Sequence, residues 1–156
     1  AKKAWRLARQ SMIATRNPYT EIECSDHYSR AIASYGAFLT ACGYRYDGAE
    51  GKLGFGPRLS PEDFRVAFTT AESWGRFTQK VAGGTHTAAL EIGYGRLQLK
   101  ELSLDKVAGT AATNATIEVD GQAVSDSWEV KADRYVLTFN SHLPISAGQR
   151  LELSLS

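Results

Sequence analysis

The sequence lacks most of the features that would assign a function on composition alone. No apolar run approaches the roughly 20 residues that cross a bilayer, and the opening AKKAWRLARQ has no apolar stretch of the kind a signal peptide needs. A soluble chain without signal peptide or transmembrane segment is therefore expected; its compartment is left open. Charge of one sign is also missing: 18 basic and 17 acidic residues are spread along the chain, for a net charge of +1. Without a dense basic patch, neither a nucleic-acid backbone nor an anionic membrane surface has electrostatic support as a partner. Cysteine is scarce, with Cys24 and Cys42 18 residues apart, which is neither a disulfide framework nor a metal-ligand spacing. Cys42 falls on an apolar helix face and reads as a small buried hydrophobe; Cys24 reads as packed, with a reactive thiol as the alternative. His27, His86 and His142 stand far apart, and no HxxxH or HxH pairing occurs. No glycine-rich phosphate cradle precedes a helix, since GKLGFGPR leads into a loop and a strand, and no GxSxG elbow is present. No metal and no cofactor are implied.

What is present is a folding composition: 43% hydrophobic and 22% charged residues over 156 positions, enough for one ordinary domain or two very small ones. The chain changes character near residue 50. Before it, apolar residues recur at helical spacing. Trp5, Ala8, Met12 and Ile13 mark one helix face, which stops ahead of Asn17-Pro18. That helix opens without a capping residue, as expected for a chain beginning partway through something larger. A second helix is predicted from about Asp26 to Cys42, capped by Ser25 or Asp26 and stopped by Gly43. Residues 47–62, with four glycines and two prolines, read as a loop.

Beyond it the pattern alternates. Strands are predicted at 64–69, 74–80, 87–92, 96–104, 116–119, 127–130, 135–139 and 151–155. A slip at Lys100-Glu101 suggests a bulge, and Asp120-Gly121 a tight hairpin. The fold class expected is α+β, a helical hairpin followed by a small antiparallel β-sandwich. Two helices of about 15 residues carry more apolar face than one small sandwich covers, so further partner helices are expected.

One segment carries candidate chemistry: RNPYTEIECSDHYSRAIASYG, residues 16–36. Glu21, Glu23 and Asp26 precede a helix start, where negative charge gains about 0.3–1 kcal/mol from the helix dipole. That suffices as an explanation of acidic residues alone. The same segment also holds Arg30 and the aromatics Tyr19, Tyr28 and Tyr35. Carboxylate, guanidinium and aromatic face together are the inventory of a sugar pocket: charged groups grip vicinal hydroxyls bidentately, and a ring stacks on the C–H face of a pyranose.

The wording of this segment, continued through AFLTACGYRYDGAEGKLGFGPRL and FRVAFTTAESWGRF, resembles the C-terminal end of the catalytic domain of glycoside hydrolase family 116, the family of non-lysosomal glucosylceramidase (bile-acid β-glucosidase) and bacterial β-glucosidases. The matching positions are Asn17, Pro18, Tyr19, Glu21, Glu23, Cys24, His27, Tyr28, Arg30 and Ala31, and the likeness extends to about residue 80. The resemblance implies an (α/α)6-barrel catalytic domain whose terminal helices are residues 1–50, a loop and first strands at 51–80, and a C-terminal β-sandwich at 81–156. It implies retaining hydrolysis of β-glucosides by a carboxylate pair about 5–5.5 Å apart. In the family that pair lies upstream of the matched segment, so this chain is expected to hold none of the catalytic residues and to be inactive alone. By position, Glu21 and Arg30 correspond to residues that bind glucose hydroxyls, with Glu23, His27 and Tyr19 in a supporting shell. The partners so implied are a β-glucoside or other carbohydrate and the rest of a parent glycosidase chain. Two departures stand out: Tyr19 where tryptophan is common, and Ser25 where glycine is common. The alternative is a standalone carbohydrate-binding or interaction module, with Trp128 and Tyr135 as a sugar platform; two core aromatics are the simpler reading of that pair.

Overall fold

The computed structural model describes residues 29–156 apart from 125, together with Lys3, Arg6, Leu7, Gln10 and Ala14. It divides into two compact units, Ala1–Ala41 and Cys42–Ser156. In the first, the five scattered residues have helical backbone, while Trp5, Ala8, Met12 and Ile13 lie outside the described residues. Helix α1 runs over Ser29–Cys42. Its small residues suit close packing, and it stops at Gly43, whose φ is +57°. The caps expected at Ser25 or Asp26 fall outside the described residues. On α1, Tyr35 and Phe38 stack with ring centroids 5.9 Å apart, yet are 51% and 42% exposed.

The second unit is all strand. β1 (Arg45–Asp47) pairs antiparallel with β2 (Lys52–Phe55), and β2 pairs in parallel with the far half of β5 (Thr85–Asp105). β3 (Asp63–Thr69) and β4 (Ser73–Ala82) form a hairpin that continues onto the near half of β5. β6 (Ala115–Val119) and β7 (Gln122–Ala123) form the tight hairpin at Asp120-Gly121, whose φ values of +50° and +76° are those of a type I′ turn. β8 (Asp126–Lys131) pairs with β9 (Arg134–Ser146), and β10 (Arg150–Leu155) lies between β5 and β6. All ten strands belong to one connected, mixed sheet.

This corrects the expected architecture. The described residues form one helix of 14 residues and a single mixed sheet, not a helical hairpin followed by a small antiparallel sandwich. Three physical facts account for the difference. The Gly93-Tyr94-Gly95 stretch, which falls between the strands expected at 87–92 and 96–104, is a bend inside the 21-residue β5. There β5 exchanges β4 and β10 for β9 and β2 as partners, and so joins what would otherwise be separate sheets. Gly95 makes the bend possible: its φ is +74°, and a Cβ there would sit 1.9 Å from the Glu72 carbonyl oxygen. Finally, the glycine-rich stretch at 47–62 contains β2, whose parallel partner is some fifty residues away in sequence.

The bulge expected at Lys100-Glu101 is present as a register shift between Leu99 and Glu101. The Lys100 and Glu101 amides donate to the Gly51 carbonyl, at 2.7 and 3.2 Å. The Lys100 ammonium donates to the carbonyls of Phe139 and Asn140, at 2.6 and 2.9 Å. The bulge is thus where the β1–β2 turn is tied to β5.

The inward residues of both arms of the sheet share one core, with Leu90, Leu102, Tyr135, Leu137, Phe139 and Leu151 at its centre. Phe55 of β2 stacks on Phe77 of β4, centroids 3.9 Å apart, and meets Phe68 edge-on at 5.7 Å. Cys42 is buried as expected, and burial pushes its thiol pKa up, so it stays protonated and unreactive.

His86 is also fully buried, edge-on to Tyr135 with centroids 6.2 Å apart, and neither ring nitrogen has a hydrogen-bond partner among the described residues. Burial lowers its pKa to about 4, below the value of about 6.5 in the unfolded chain. The neutral ring is what the fold accommodates. Its contribution to stability is complete above pH 6.5 and is lost as the pH falls towards 4, because the unfolded state takes up the proton first. The expected loss is on the order of 3 kcal/mol. Urea titrations at pH 7 and pH 4.5 check this: wild type should lose more stability across that interval than His86→Leu, by roughly 2–3 kcal/mol. Parallel pH dependence in the two proteins would contradict it.

Candidate functional site

The structure places Arg30 in the first turn of α1. Tyr19, Glu21, Glu23 and His27 lie outside the described residues. Of the alternative pair, Tyr135 is a core residue. It is fully buried, its hydroxyl lies 3.3 Å from the Thr110 hydroxyl and accepts from the Ala112 amide at 3.3 Å, and the Lys106 ammonium lies 5.5 Å from its ring centroid. Trp128 packs partly buried against the same core, 6.5 Å from Tyr135. The pair offers no open stacking face, in keeping with the simpler reading.

A different surface does. Strand β4 alternates cleanly: Ser73, Gly75, Phe77 and Gln79 point inward, while Trp74, Arg76, Thr78 and Lys80 face outward or lie half-buried. Trp74 is 53% exposed and its strand partner Tyr94 66% exposed. The register shifts between Trp74 and Gly75, so that Trp74 pairs with Tyr94 and Gly75 with Ile92, leaving Gly93 as the extra residue. A Cβ on Gly93 would come within 2.5 Å of the Trp74 ring. The indole therefore lies flat against bare backbone, supported beneath and open to solvent.

Beside this ring, the β5 carboxylate of Glu91 is gripped from two sides. Arg76 of β4 pairs with one of its oxygens, and Arg150 of β10 donates to the other at 3.0 Å. Arg150 also reaches Glu152 at 2.9 Å. The strand register explains the grouping, because Arg76 and Arg150 are the direct neighbours of Glu91 on its two sides. An open depression of about 640 Å³ runs over Trp74, Gly93, Arg76 and Glu91 to Arg150. It shares Arg65, Arg76, Glu91 and Arg150 with a neighbouring depression of about 780 Å³ along the sheet face. The sequence pattern alone marks Trp74 only as the start of a strand. Its outward phase in an alternating run, opposite a Gly-Tyr-Gly, was the available signal.

A second polar cluster centres on Asp105, which is paired with Arg45, with Arg134 at 3.1 Å and with Arg58 at 3.6 Å. It ties β1 to the ends of β5 and β9. Among the described residues no group of histidine, cysteine and acidic side chains is arranged to hold a metal ion, and no helix is long and apolar enough to cross a membrane. No protein-family model matches the chain, and no curated protein matches it.

Proposed function

We propose that this chain is the C-terminal part of a retaining β-glucosidase or glucosylceramidase-like glycoside hydrolase, supplying glucose-binding residues but not the catalytic carboxylate pair. The observation that carries this reading is the ten-position pattern from Asn17 to Ala31, in which Glu21 and Arg30 keep the spacing of the glucose-binding pair. In that role the two charged side chains bond ring hydroxyls that shift as the sugar distorts, so their bonds strengthen in the transition state and raise the rate of the chemical step. Glu23, His27 and Tyr19 hold them in place. The aromatic pair Tyr35–Phe38 on α1, stacked yet exposed, is further support, since such a face suits contact with more of a parent catalytic domain.

The test is hydrolysis of an aryl β-glucoside by the 156-residue chain and by the longer chain that contains it. The short chain is expected to be inactive. The longer one is expected to release β-glucose as its first product, as retention requires. Hydrolysis by residues 1–156 alone would overturn the proposal.

A further inference from the structure

We infer that the outward face of β4, β5 and β10 around Trp74 is a separate binding site for a neutral oligosaccharide. The first ground is the aromatic platform. Trp74 and Tyr94 are exposed as direct strand neighbours, and a contiguous apolar patch of this kind marks an interaction surface where a single exposed ring does not. Trp74 is also held in a fixed pose, flat on Gly93 at a bulge, rather than left to rotate in solvent. A flat, supported indole is what the C–H face of a pyranose stacks upon.

The second ground is the polar fork next to it. Glu91, Arg76 and Arg150 fix one another by ion pairs. The fork still has free valence: a carboxylate accepts about four hydrogen bonds and each guanidinium donates five. Donors and acceptors held side by side match vicinal hydroxyls, each of which both donates and accepts. Because the groups are already immobilised by each other, a ligand does not have to order them.

The third ground selects the charge of the occupant. The two depressions together are lined by four basic and four acidic side chains, with Arg65, Arg76, Arg150 and Glu91 on the part that holds Trp74, so only the face as a whole carries no net charge. A phosphorylated, sulfated or uronic-acid chain long enough to cover both depressions would meet as many acidic as basic side chains, whereas a neutral sugar chain is not penalised. The depression also extends beyond the ring, over the small side chains of Ala89 and Thr87. That length suits several sugar units rather than one.

The experiment is affinity electrophoresis of the full 156-residue chain through gels containing a neutral β-glucan, a neutral xylan or polygalacturonate, followed by calorimetric titration with the matching hexasaccharide. Wild type is expected to be retarded by a neutral polysaccharide and not by polygalacturonate. Trp74→Ala should weaken hexasaccharide binding at least tenfold, and Trp74→Phe should retain part of it. Gly93→Ala keeps the indole but tilts it off its support, and is expected to weaken binding comparably. It therefore tests the same geometry should Trp74→Ala fold poorly. Glu129→Gln, on an exposed part of β8 away from this face, should leave this binding unchanged. Absence of retardation by either neutral polysaccharide would overturn the inference, as would equal binding by the Trp74 and Gly93 variants. Retardation by polygalacturonate alone would do the same. The readout is binding by this chain and not hydrolysis by a longer one, so its failure and that of the proposed function are distinguishable.

Discussion

Replacing Phe55 with alanine is expected to lower the thermal midpoint of the β-rich unit by roughly 10–20 °C, the largest loss for any single side chain considered. Phe55 is fully buried, and its ring lies between residues of different parts of the sheet. It stacks on Phe77, meets Phe68 edge-on, and is met edge-on by Tyr44 at 5.6 Å. β2 is a short strand of four residues that pairs with β1 and with the far half of β5, whereas Phe68 and Phe77 come from β3 and β4. Truncation removes the transfer free energy of a whole ring and leaves a cavity that a close-packed sheet core cannot collapse around, at about 3–5 kcal/mol. For a unit of this size each kcal/mol moves the midpoint by about 4 °C. Tyr94→Ala, at an exposed position, should shift it by no more than a few degrees. A Phe55→Ala midpoint within about 5 °C of wild type would mean that β2 is not held to the rest of the core through this ring.

How much of this could be read from the sequence depended on whether the signal was local. Strands β3, β4, β6, β8 and β10 alternate over their own lengths, and their expected positions match to within about two residues. The Lys100-Glu101 bulge and the Asp120-Gly121 hairpin are local as well. The Gly43 helix stop belongs with them. What could not be read depends on partners remote in sequence. β2 hides in a glycine-rich stretch because its reason to be a strand is Glu101–Leu104. β9 runs on to Ser146 through Pro144, which has no amide to donate and so argues against a strand, because Arg96–Leu99 still pair with that stretch. Gly93–Gly95 carries turn residues yet bends within one strand, since the choice between bend and break belongs to the partners on either side.

The two candidate sites divide in the same way. The Glu21–Arg30 pair was legible as wording at fixed spacing, and its geometry lies outside the described residues. The Trp74 surface was the reverse. ESWGRF shows only that the tryptophan faces outward, and it becomes a platform only once β4 is in register with β5 and Gly93 comes beneath the ring.

The second large effect concerns the proposed sugar clamp of Glu21 and Arg30. Glu21→Gln keeps the shape of the side chain but removes the charge that, in the proposed role, strengthens its bonds to sugar hydroxyls. If those bonds tighten as the ring flattens, the loss falls on the chemical step. Arg30→Lys exchanges a planar fork for a point charge, and at a bidentate site that is not a conservative change. Glu91→Gln makes the same chemical change as Glu21→Gln, on the sheet face, and serves as the control.

The central claim is that residues 16–36 form part of a β-glucosidase active site whose catalytic pair lies elsewhere. Its most direct test is kcat/KM for an aryl β-glucoside in the proposed parent chain, for wild type, Glu21→Gln, Arg30→Lys and Glu91→Gln. The account predicts a fall of about 10²–10³-fold for Glu21→Gln, the range for losing one charge-stabilising group at a reacting centre. Much of that fall should be in kcat, and the pH profile should keep its shape because the acid and the nucleophile are untouched. Arg30→Lys should fall in the same direction and Glu91→Gln should match wild type. A Glu21→Gln enzyme within about threefold of wild type would contradict the account and return the acidic segment to ordinary helix-start electrostatics.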